Sequence, residues 1–469
     1  MQYQLHKVSK RRQALCSFIT YINELPTMLT RKNSINITYN FNPPLLLIDF
    51  LTIQLEKMKK KCRIIITVSI TLFFIVNVNC FGQQKNSIDE RIRNVENGLV
   101  KYKWDTNYTV DMIIDSKRID TMPKLNIYDR MKDYKIPGVS IAVINDFKID
   151  WAKGYGIMKA GTDKIVTSET MFQSGSTTKV LMAIVILRMV EEGKLDLDTD
   201  INTYLNSWKM PEHPSGKKVT LRMLLTHQAG INRPGDGFDT EPGSNPTLKQ
   251  FLKGEKPVLN DSVFFDTIPG TSHSYSNFGY LVMQFLLEDY FNTSYTKLVE
   301  KYIFDPLNLK SSFIEYPFPS KFDSRVISPH NKEGVPSKED GLYSAALAQA
   351  GMITTPSDWA TIACELMLAY AGKSNKILSQ KSVQAIFNLE LNLNPSEFEG
   401  LSGQGLGLFL FGKGEQQYFM HHGHNNPGAN CVLIGSTSTG KGVVVMTNGM
   451  YGISIAMQIV SSVAKEYNW

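Results

Sequence analysis

Runs of apolar residues with strand-like spacing lie toward both ends of this chain. Residues 138–144 and 147–152 flank Asn145 and Asp146, a pair that favours a tight turn, and this pattern predicts a β-hairpin. Residues 429–434 and 442–446 flank a polar loop and predict a second hairpin.

Helical periodicity, with apolar residues three or four positions apart, dominates the middle of the chain. The predicted helices cover residues 180–192, 221–225, 278–290 and 357–370, and another is expected at about 454–465. Strands at both ends with helices between them predict an α/β fold of the α+β type. We expect an antiparallel sheet from about 128–175 and 400–469, flanked by helices, with an inserted all-helical region at about 200–340.

A different apolar run, near the N-terminus, has the pattern of an export signal. Met58 is followed by a basic stretch, by the apolar residues 64–78, and by Cys80-Phe81-Gly82, which offers small residues for cleavage after Gly82. The run is short for a membrane span, which needs about 20 residues. We expect residues 58–82 to be a signal peptide, so that the mature protein is periplasmic or secreted with no stable membrane span. An uncleaved segment would leave it tethered.

The signal pattern also sets the expected domain organisation. Because signal peptides begin a chain, we expect Met58 to be the true initiator and residues 1–57 to be an upstream extension outside the fold. Residues 83–127 then form a lead-in segment, and residues 128–469 form one domain, long enough to bury a sizeable core.

The charge distribution argues against nucleic-acid binding. The chain carries a net charge of +6, but residues 1–82 hold 11 Lys and Arg against 3 Asp and Glu. Of the totals of 50 and 44, this leaves 39 basic and 41 acidic residues in the remainder, so no basic excess is available to bind phosphates. The two later cysteines, Cys364 and Cys431, lie in apolar patterns and are interpreted as core residues.

The first candidate for chemistry is the pair Ser176 and Lys179. Their spacing places a hydroxyl and an amine one helical turn apart on the same face, and a buried lysine can accept the serine proton. The spacing alone is weak evidence, because it recurs at Ser215, Ser294, Ser438 and Ser462. Ser176 differs because it opens a helix that is apolar on all sides and must therefore be buried. The alternative is an ordinary helix-capping serine followed by a surface-directed lysine.

Two further segments carry candidate side chains. Tyr275 and Asn277 lie on the same side of a loop that precedes a new helix, and a phenol beside a lysine can act as a base. The segment 419–428 contains three histidines and enters the C-terminal hairpin, where a donor or cation could position a substrate carboxylate or carbonyl. His227 is interpreted as a buried structural residue, and His273 as either a loop residue or part of a pocket rim.

The ordered motifs S-x-x-K, Y-S-N and a His/Gly strand resemble the serine β-lactamase and penicillin-binding-protein family. The resemblance is strongest to the branch of class C β-lactamases, D-alanyl-D-alanine carboxypeptidases and related esterases. It extends over about residues 128–468 and includes the stretches 136–140, 224–230 and 351–358. It implies a β-lactamase/transpeptidase-like fold.

The resemblance also implies roles for individual residues. Ser176 would be the acylated nucleophile, Lys179 its proton acceptor or electrostatic partner, and Tyr275 the general base and proton shuttle. Asn277 would donate to the substrate amide, and the Ser176 N–H would form an oxyanion hole with an N–H of the third-motif strand. Whether Lys179 or Tyr275 removes the first proton stays open at this point.

The third motif departs from the family pattern of K-T-G or H-x-G. Counting back from Gly428 puts the basic residue at His422 and a histidine, His424, at the expected glycine. The H-x-G spacing instead selects His421 and Gly423, with one extra residue before Gly428. We favour the first count and expect a substrate-binding edge formed by His422, Gly423, His424 and Asn425.

These observations predict an exported serine hydrolase that cleaves an amide or ester through an acyl-enzyme. The substrate would be a small molecule or peptide, such as a β-lactam, a D-amino-acid peptide or an ester. The alternative is a non-hydrolytic penicillin-binding or sensor-like module with the same fold, supported by the altered third motif. A zinc site at the histidine cluster is disfavoured because the Asp and final His of a zinc hydrolase motif are absent, so no metal or cofactor is expected.

Overall fold

The centre of the molecule is an eight-stranded antiparallel sheet with the strand order β4-β3-β12-β11-β10-β9-β8-β7. The computed structural model describes residues 87–100, 114, 121–233, 240–241, 243–337, 345–413 and 416–469. The strands are β1 (Leu99–Val100), β2 (Lys124–Leu125), β3 (Gly138–Asn145), β4 (Lys148–Gly156), β5 (Phe172–Gln173), β6 (Ile353–Thr354), β7 (Leu391–Asn392), β8 (Gly403–Gln404), β9 (Phe409–Lys413), β10 (Gln416–Asn425), β11 (Ala429–Ser436) and β12 (Lys441–Thr447). Two small separate sheets pair β1 with β2 and β5 with β6.

The two predicted hairpins supply the centre and one edge of this sheet. β3 and β4 pair around Asp146 and Phe147, both with positive φ, and β11 pairs with β12 across the 436–441 turn. β12 also pairs with β3, so the two ends of the domain meet in the middle of the sheet. The predicted antiparallel sheet built from both ends is therefore confirmed.

Helices cover the sheet. Further helices lie, in sequence, between the N-terminal strands and the C-terminal strands of the sheet. The α-helices are α1 (Ile88–Glu96), α2 (Ile127–Asp133), α3 (Lys179–Glu191), α4 (Leu221–Leu225), α5 (Leu248–Lys253), α6 (Asn277–Phe291), α7 (Tyr295–Val299), α8 (Pro356–Tyr370), α9 (Gln380–Phe387) and α10 (Gly452–Glu466). Short 3₁₀ turns lie at Gly175–Thr178, Ile201–Thr203 and Ser320–Phe322, and a π turn at Glu300–Phe304. Among the described residues, no helix is both long and apolar enough to span a bilayer.

Both faces of the central strands are buried, which explains their nearly continuous apolar sequence. Ala142 and Ile144 of β3 face a core shared with α3, α6 and α8, whereas Ile141 and Val143 face a second core shared with α1 and α10. Cys364 and Cys431 are unpaired and buried in the first core, in agreement with their interpretation as core residues.

Helix α3 fixes the position of the nucleophile candidate. Every residue from Lys179 to Leu187 is buried, with at most 2% of its surface exposed. A helix that is apolar all round packs on every side, so its N-terminal end is held rigidly against the sheet. The predicted signal peptide, the upstream extension and much of the lead-in segment lie outside the described residues.

Candidate active site

Threonine hydroxyl groups within the turn that carries Ser176 stabilise the turn by hydrogen bonds to its backbone. Thr177 Oγ1 donates to the carbonyl of Ser174 at 2.9 Å, and Thr178 Oγ1 donates to the carbonyl of Gly175 at 2.7 Å. The indole N–H of Trp359 in α8 donates to Thr177 Oγ1 at 2.8 Å. Ser176 is the partly exposed residue of this otherwise buried turn. The turn therefore presents one hydroxyl outward and buries its neighbours.

Lys179 lies directly beneath that hydroxyl. Its side chain is fully buried, and Nζ lies 3.0 Å from Ser176 Oγ and 2.9 Å from the carbonyl oxygen of Gln349. Burial, assisted by the positive charge of Arg233, holds the pKa of Lys179 well below its usual value. An amine in this position can be neutral near pH 7 and accept the serine proton.

Tyr275 reaches the same hydroxyl from the loop before α6. Its phenol is close enough to Ser176 for the serine hydroxyl to act on its pKa, and Lys179 Nζ lies 5.1 Å from its ring centroid. Burial raises the pKa of Tyr275 to about 12, against the opposing effects of the Ser176 hydroxyl and the Arg233 charge. The phenol therefore keeps its proton near pH 7.

The Tyr275 ring is held between an imidazole and a guanidinium. The His227 ring lies 4.2 Å away, centroid to centroid, at 32°, and Arg233 Cζ lies 5.5 Å from the Tyr275 centroid. His227 is buried, and its Nδ1 accepts the backbone N–H of Ser276 at 3.2 Å. Burial lowers the pKa of His227 well below its usual value, so the ring is neutral. His227 supports Tyr275, in line with its structural interpretation.

Asn277 is the first residue of α6 and lines the cavity in front of Ser176. Its Oδ1 is buried and has no hydrogen-bond partner among the described residues. A buried acceptor without a partner costs stability, so Asn277 holds an unmet hydrogen-bonding group beside the nucleophile.

The third motif approaches the nucleophile through Gly423. A Cβ placed on Gly423 would lie 2.1 Å from the Ser174 carbonyl oxygen and 2.7 Å from the Ser176 nitrogen. On the other side of the contact, a Cβ on Gly175 would lie 2.7 Å from the His424 nitrogen, and Gly175 has φ +55°. Only a residue without a side chain fits at 423, so Gly423 occupies the glycine position of the motif.

This contact favours a register of the third motif that differs from the one expected from the sequence. With Gly423 as the glycine, His421 rather than His422 takes the basic position. Strand β10 continues to Asn425, and the extra residue lies in the hairpin turn 426–428, where the Asn426–Pro427 peptide is cis. Counting back from Gly428 failed because the turn, and not the strand, carries the insertion.

The residues expected at the substrate-binding edge separate into different environments. His421 and His422 line the cavity, and so does the exposed His424, whose Nδ1 lies 2.7 Å from Asn430 Oδ1. Asn425 instead points away from it: its buried Nδ2 donates to Gln173 Oε1 at 2.9 Å. The expectation that Asn425 binds substrate is therefore wrong, because its side chain ties β10 to β5.

The cavity has a volume of about 480 Å³ and is open to solvent. The lining includes residues that sequence reasoning did not single out, namely Arg233, Glu397, Phe398, Glu399, Leu401, Phe409 and Asn426. His273 lies at the rim, with its ring 5.0 Å from that of Phe398. Phe409 is the first residue of β9, and most of the others lie on loops without a motif or periodicity. The available signals were the position of Arg233 just after the 224–230 stretch and that of Asn426 within the 419–428 segment. Among the described residues, no group of three or more His, Cys, Asp or Glu side chains has the arrangement of a metal site.

With the fold and this geometry in place, comparison with known proteins defines the class. The sequence profile of the Beta-lactamase family matches residues 125–458, and the chain belongs to that family. The penicillin-binding protein homologue from Pyrococcus abyssi, an octamer, is similar in structure, with a TM-score of 0.60 and 25% identity. That match covers 71% of this chain and 74% of the homologue.

Two enzymes extend the comparison. The D-amino acid amidase from Ochrobactrum anthropi SV3 shares the fold, with a TM-score of 0.59, 20% identity, and coverage of 76% of this chain and 98% of the amidase. The unguisins hydrolase of Aspergillus violaceofuscus is 27% identical over 211 residues, which are 43% of this chain and 35% of that protein. Protein flp of Staphylococcus aureus strain MRSA252 is 26% identical over 209 residues, which are 44% and 40% of the two chains. The matches thus span less than half the length of these curated relatives.

Proposed function

We propose that this protein is a serine hydrolase that cleaves an amide or ester bond through an acyl-enzyme on Ser176. The observation that carries the proposal is the 3.0 Å separation between Ser176 Oγ and the buried Nζ of Lys179, with the Tyr275 phenol close enough to Ser176 for the two groups to interact. Membership of the Beta-lactamase family and the hydrolase and amidase among its relatives support it.

During acylation, Lys179 and Tyr275 each carry out one proton transfer. Lys179, with its lowered pKa, takes the proton of Ser176 as Oγ attacks the substrate carbonyl carbon. Tyr275, a neutral phenol, gives its proton to the leaving nitrogen or oxygen as the scissile bond breaks, and regains one from Lys179. Water then attacks the acyl ester by the reverse route, releasing the acid and restoring Ser176.

The negative charge that forms on the carbonyl oxygen needs hydrogen-bond donors. We assign this role to the backbone N–H groups of Ser176 and His424, which lie on the two sides of the close contact between Gly175 and Gly423. Removing one such donor typically costs about 10²–10³ in kcat.

A labelling and turnover experiment tests the proposal. Wild-type protein should be labelled by a fluorophosphonate or fluorescent penicillin probe and should hydrolyse p-nitrophenyl acetate or nitrocefin, and Ser176→Ala should lose both properties. Ser215→Ala is the matched control, because Ser215 and Lys218 repeat the spacing on an exposed segment. Full turnover by Ser176→Ala would refute the assignment. Labelling without turnover would favour the sensor-like alternative.

We further propose that the enzyme is exported by residues 58–82. The basic, apolar and small-residue pattern of that segment supports this. Expression of the full chain should yield a mature N-terminus near Gln83 by mass spectrometry, whereas a mature protein that begins at Met1 would contradict export by cleavage.

A further inference from the structure

The cavity wall at the third motif offers acceptors where a substrate carboxylate would need donors. His421 is only 2% exposed, and its Nδ1 lies 2.7 Å from the carbonyl oxygen of His422. A carbonyl only accepts, so Nδ1 carries the ring proton in this contact. The other nitrogen, Nε2, then presents a lone pair, and it has no partner among the described residues.

The protonation state of His421 reinforces this picture. Burial holds its pKa well below the usual histidine value, so the ring is neutral near pH 7. A neutral ring with its proton committed to a backbone carbonyl cannot pair with an anion as a lysine would.

The two glutamates of the cavity wall are acceptors as well. Glu397 and Glu399 line the cavity, and Glu399 is close enough for its charge to act on His422. Glu397 accepts from Asn394 Nδ2 at 2.6 Å, which leaves Glu399 as the better candidate for an external cation.

One cation, Arg233, also lines the cavity. Its guanidinium lies over the Tyr275 ring, and its charge acts on Tyr275 and Lys179. Arg233 therefore lies on the nucleophile side of the cavity. Among the described lining residues, the carboxylates of Glu397 and Glu399 outnumber this one cation.

We infer that the site selects substrates whose acyl portion carries an ammonium group, which binds Glu399 and the acceptor His421 Nε2. This inference rests on the proposed hydrolase function and names its substrate class. Amino-acid amides, esters and short peptides with a free amine have this chemistry, whereas acyl groups that bear a carboxylate do not.

A matched ester series tests the preference. The β-alanyl, N-acetyl-β-alanyl and N-succinyl-β-alanyl p-nitrophenyl esters share one leaving group and differ in charge. We expect kcat/KM to fall in that order, by about 10-fold or more from the ammonium to the carboxylate ester, because each charge-assisted hydrogen bond contributes a factor of this size. Rates measured with Ser176→Ala are subtracted as background. A carboxylate ester that is preferred over the ammonium ester would overturn the inference.

Variants separate this inference from the underlying function. Glu399→Gln, on an exposed loop, should reduce the ratio of ammonium to neutral ester, whereas Glu315→Gln, an exposed glutamate outside the cavity lining, should leave it unchanged. His421→Lys should move the preference toward the carboxylate ester, and circular dichroism checks its fold. An unchanged ratio in Glu399→Gln would refute the inference even if all esters are hydrolysed.

Failure of the proposed function gives a different result, namely no Ser176-dependent turnover of any ester. In that case, protection of Ser176 against labelling by a fluorophosphonate measures the charge preference of the site without turnover. β-Alaninamide should protect at lower concentration than succinamate, its carboxylate counterpart, and the reverse order would overturn the inference.

Discussion

Gly423 of strand β10 lies against the backbone of Ser176 so closely that a Cβ at position 423 would be 2.7 Å from the Ser176 nitrogen. The same Cβ would be 2.1 Å from the Ser174 carbonyl oxygen, and neither atom belongs to a side chain that could move aside. The separation between the nucleophile turn and the third-motif strand is therefore set by the absence of one methyl group.

Gly423→Ala should push β10 away from Ser176 and reduce kcat/KM on p-nitrophenyl acetate at least about 100-fold, because oxyanion donors act only at short range. Overpacking of this kind also costs about 1–3 kcal/mol of stability, measurable by urea denaturation. Gly279→Ala is the control, since its Cβ would find its nearest atom at 3.5 Å, an ordinary contact. Wild-type activity in Gly423→Ala would show that the contact does not position the site.

The same glycine shows where the sequence was sufficient and where it was not. Ser176, Lys179 and Tyr275 could be predicted because their spacing, order and apolar context are local properties of the chain. The register of the third motif could not, because it depends on a backbone contact between segments far apart in sequence. One extra residue in the turn 426–428 and one extra residue in the strand give the same number of residues before Gly428. Counting residues therefore cannot distinguish the two registers.

The fold was predictable to a similar extent. The hairpins β3–β4 and β11–β12 have long apolar runs and turn residues, whereas β7 and β8 have two residues each and no alternation to detect. Arg233 and Glu399 lie on irregular loops, so only the folded chain brings them into the cavity. Asn425 was misassigned because strand alternation turns it toward Gln173, away from its neighbour His424.

The lowered pKa of Lys179 makes stability depend on pH. At pH values above its folded-state pKa and below about 10, the unfolded chain holds a proton on this lysine that the folded chain does not. The free energy of unfolding should therefore rise with pH across this window, by up to ~1.4 kcal/mol per pH unit from this group. Urea denaturation between pH 6 and pH 9 measures the slope.

Lys179→Met should remove that contribution, so the variant should gain stability relative to the wild type as the pH falls. Lys381→Met, on the exposed surface of α9, should keep the wild-type slope. Equal slopes in Lys179→Met and the wild type would mean that the folded protein carries a charged lysine at this position.

Tyr275 should matter most when the leaving group needs a proton. With a pKa of about 12, its phenol serves as an acid near pH 7. Tyr275→Phe should lower kcat/KM on an anilide or amide about 10²–10⁴-fold, the usual contribution of a general acid. A p-nitrophenyl ester with the same acyl group should lose far less, because its leaving group departs as a stable anion. An equal loss on both substrates would instead assign Tyr275 to the first proton transfer from Ser176.

Arg233 should set the pH at which the site becomes active. Its positive charge is one of the two causes that lower the pKa of Lys179, after burial. Arg233→Gln removes that charge and raises the pKa of Lys179, so a smaller fraction of the amine is neutral at a given pH. The acid limb of the kcat/KM profile should consequently move to higher pH, whereas Arg233→Lys should keep it near its wild-type position. The profile is measured with p-nitrophenyl acetate, an uncharged substrate, so that binding of a substrate charge by Arg233 does not enter. A uniform loss of rate without a displaced limb would show that Arg233 positions Tyr275 and does not tune Lys179.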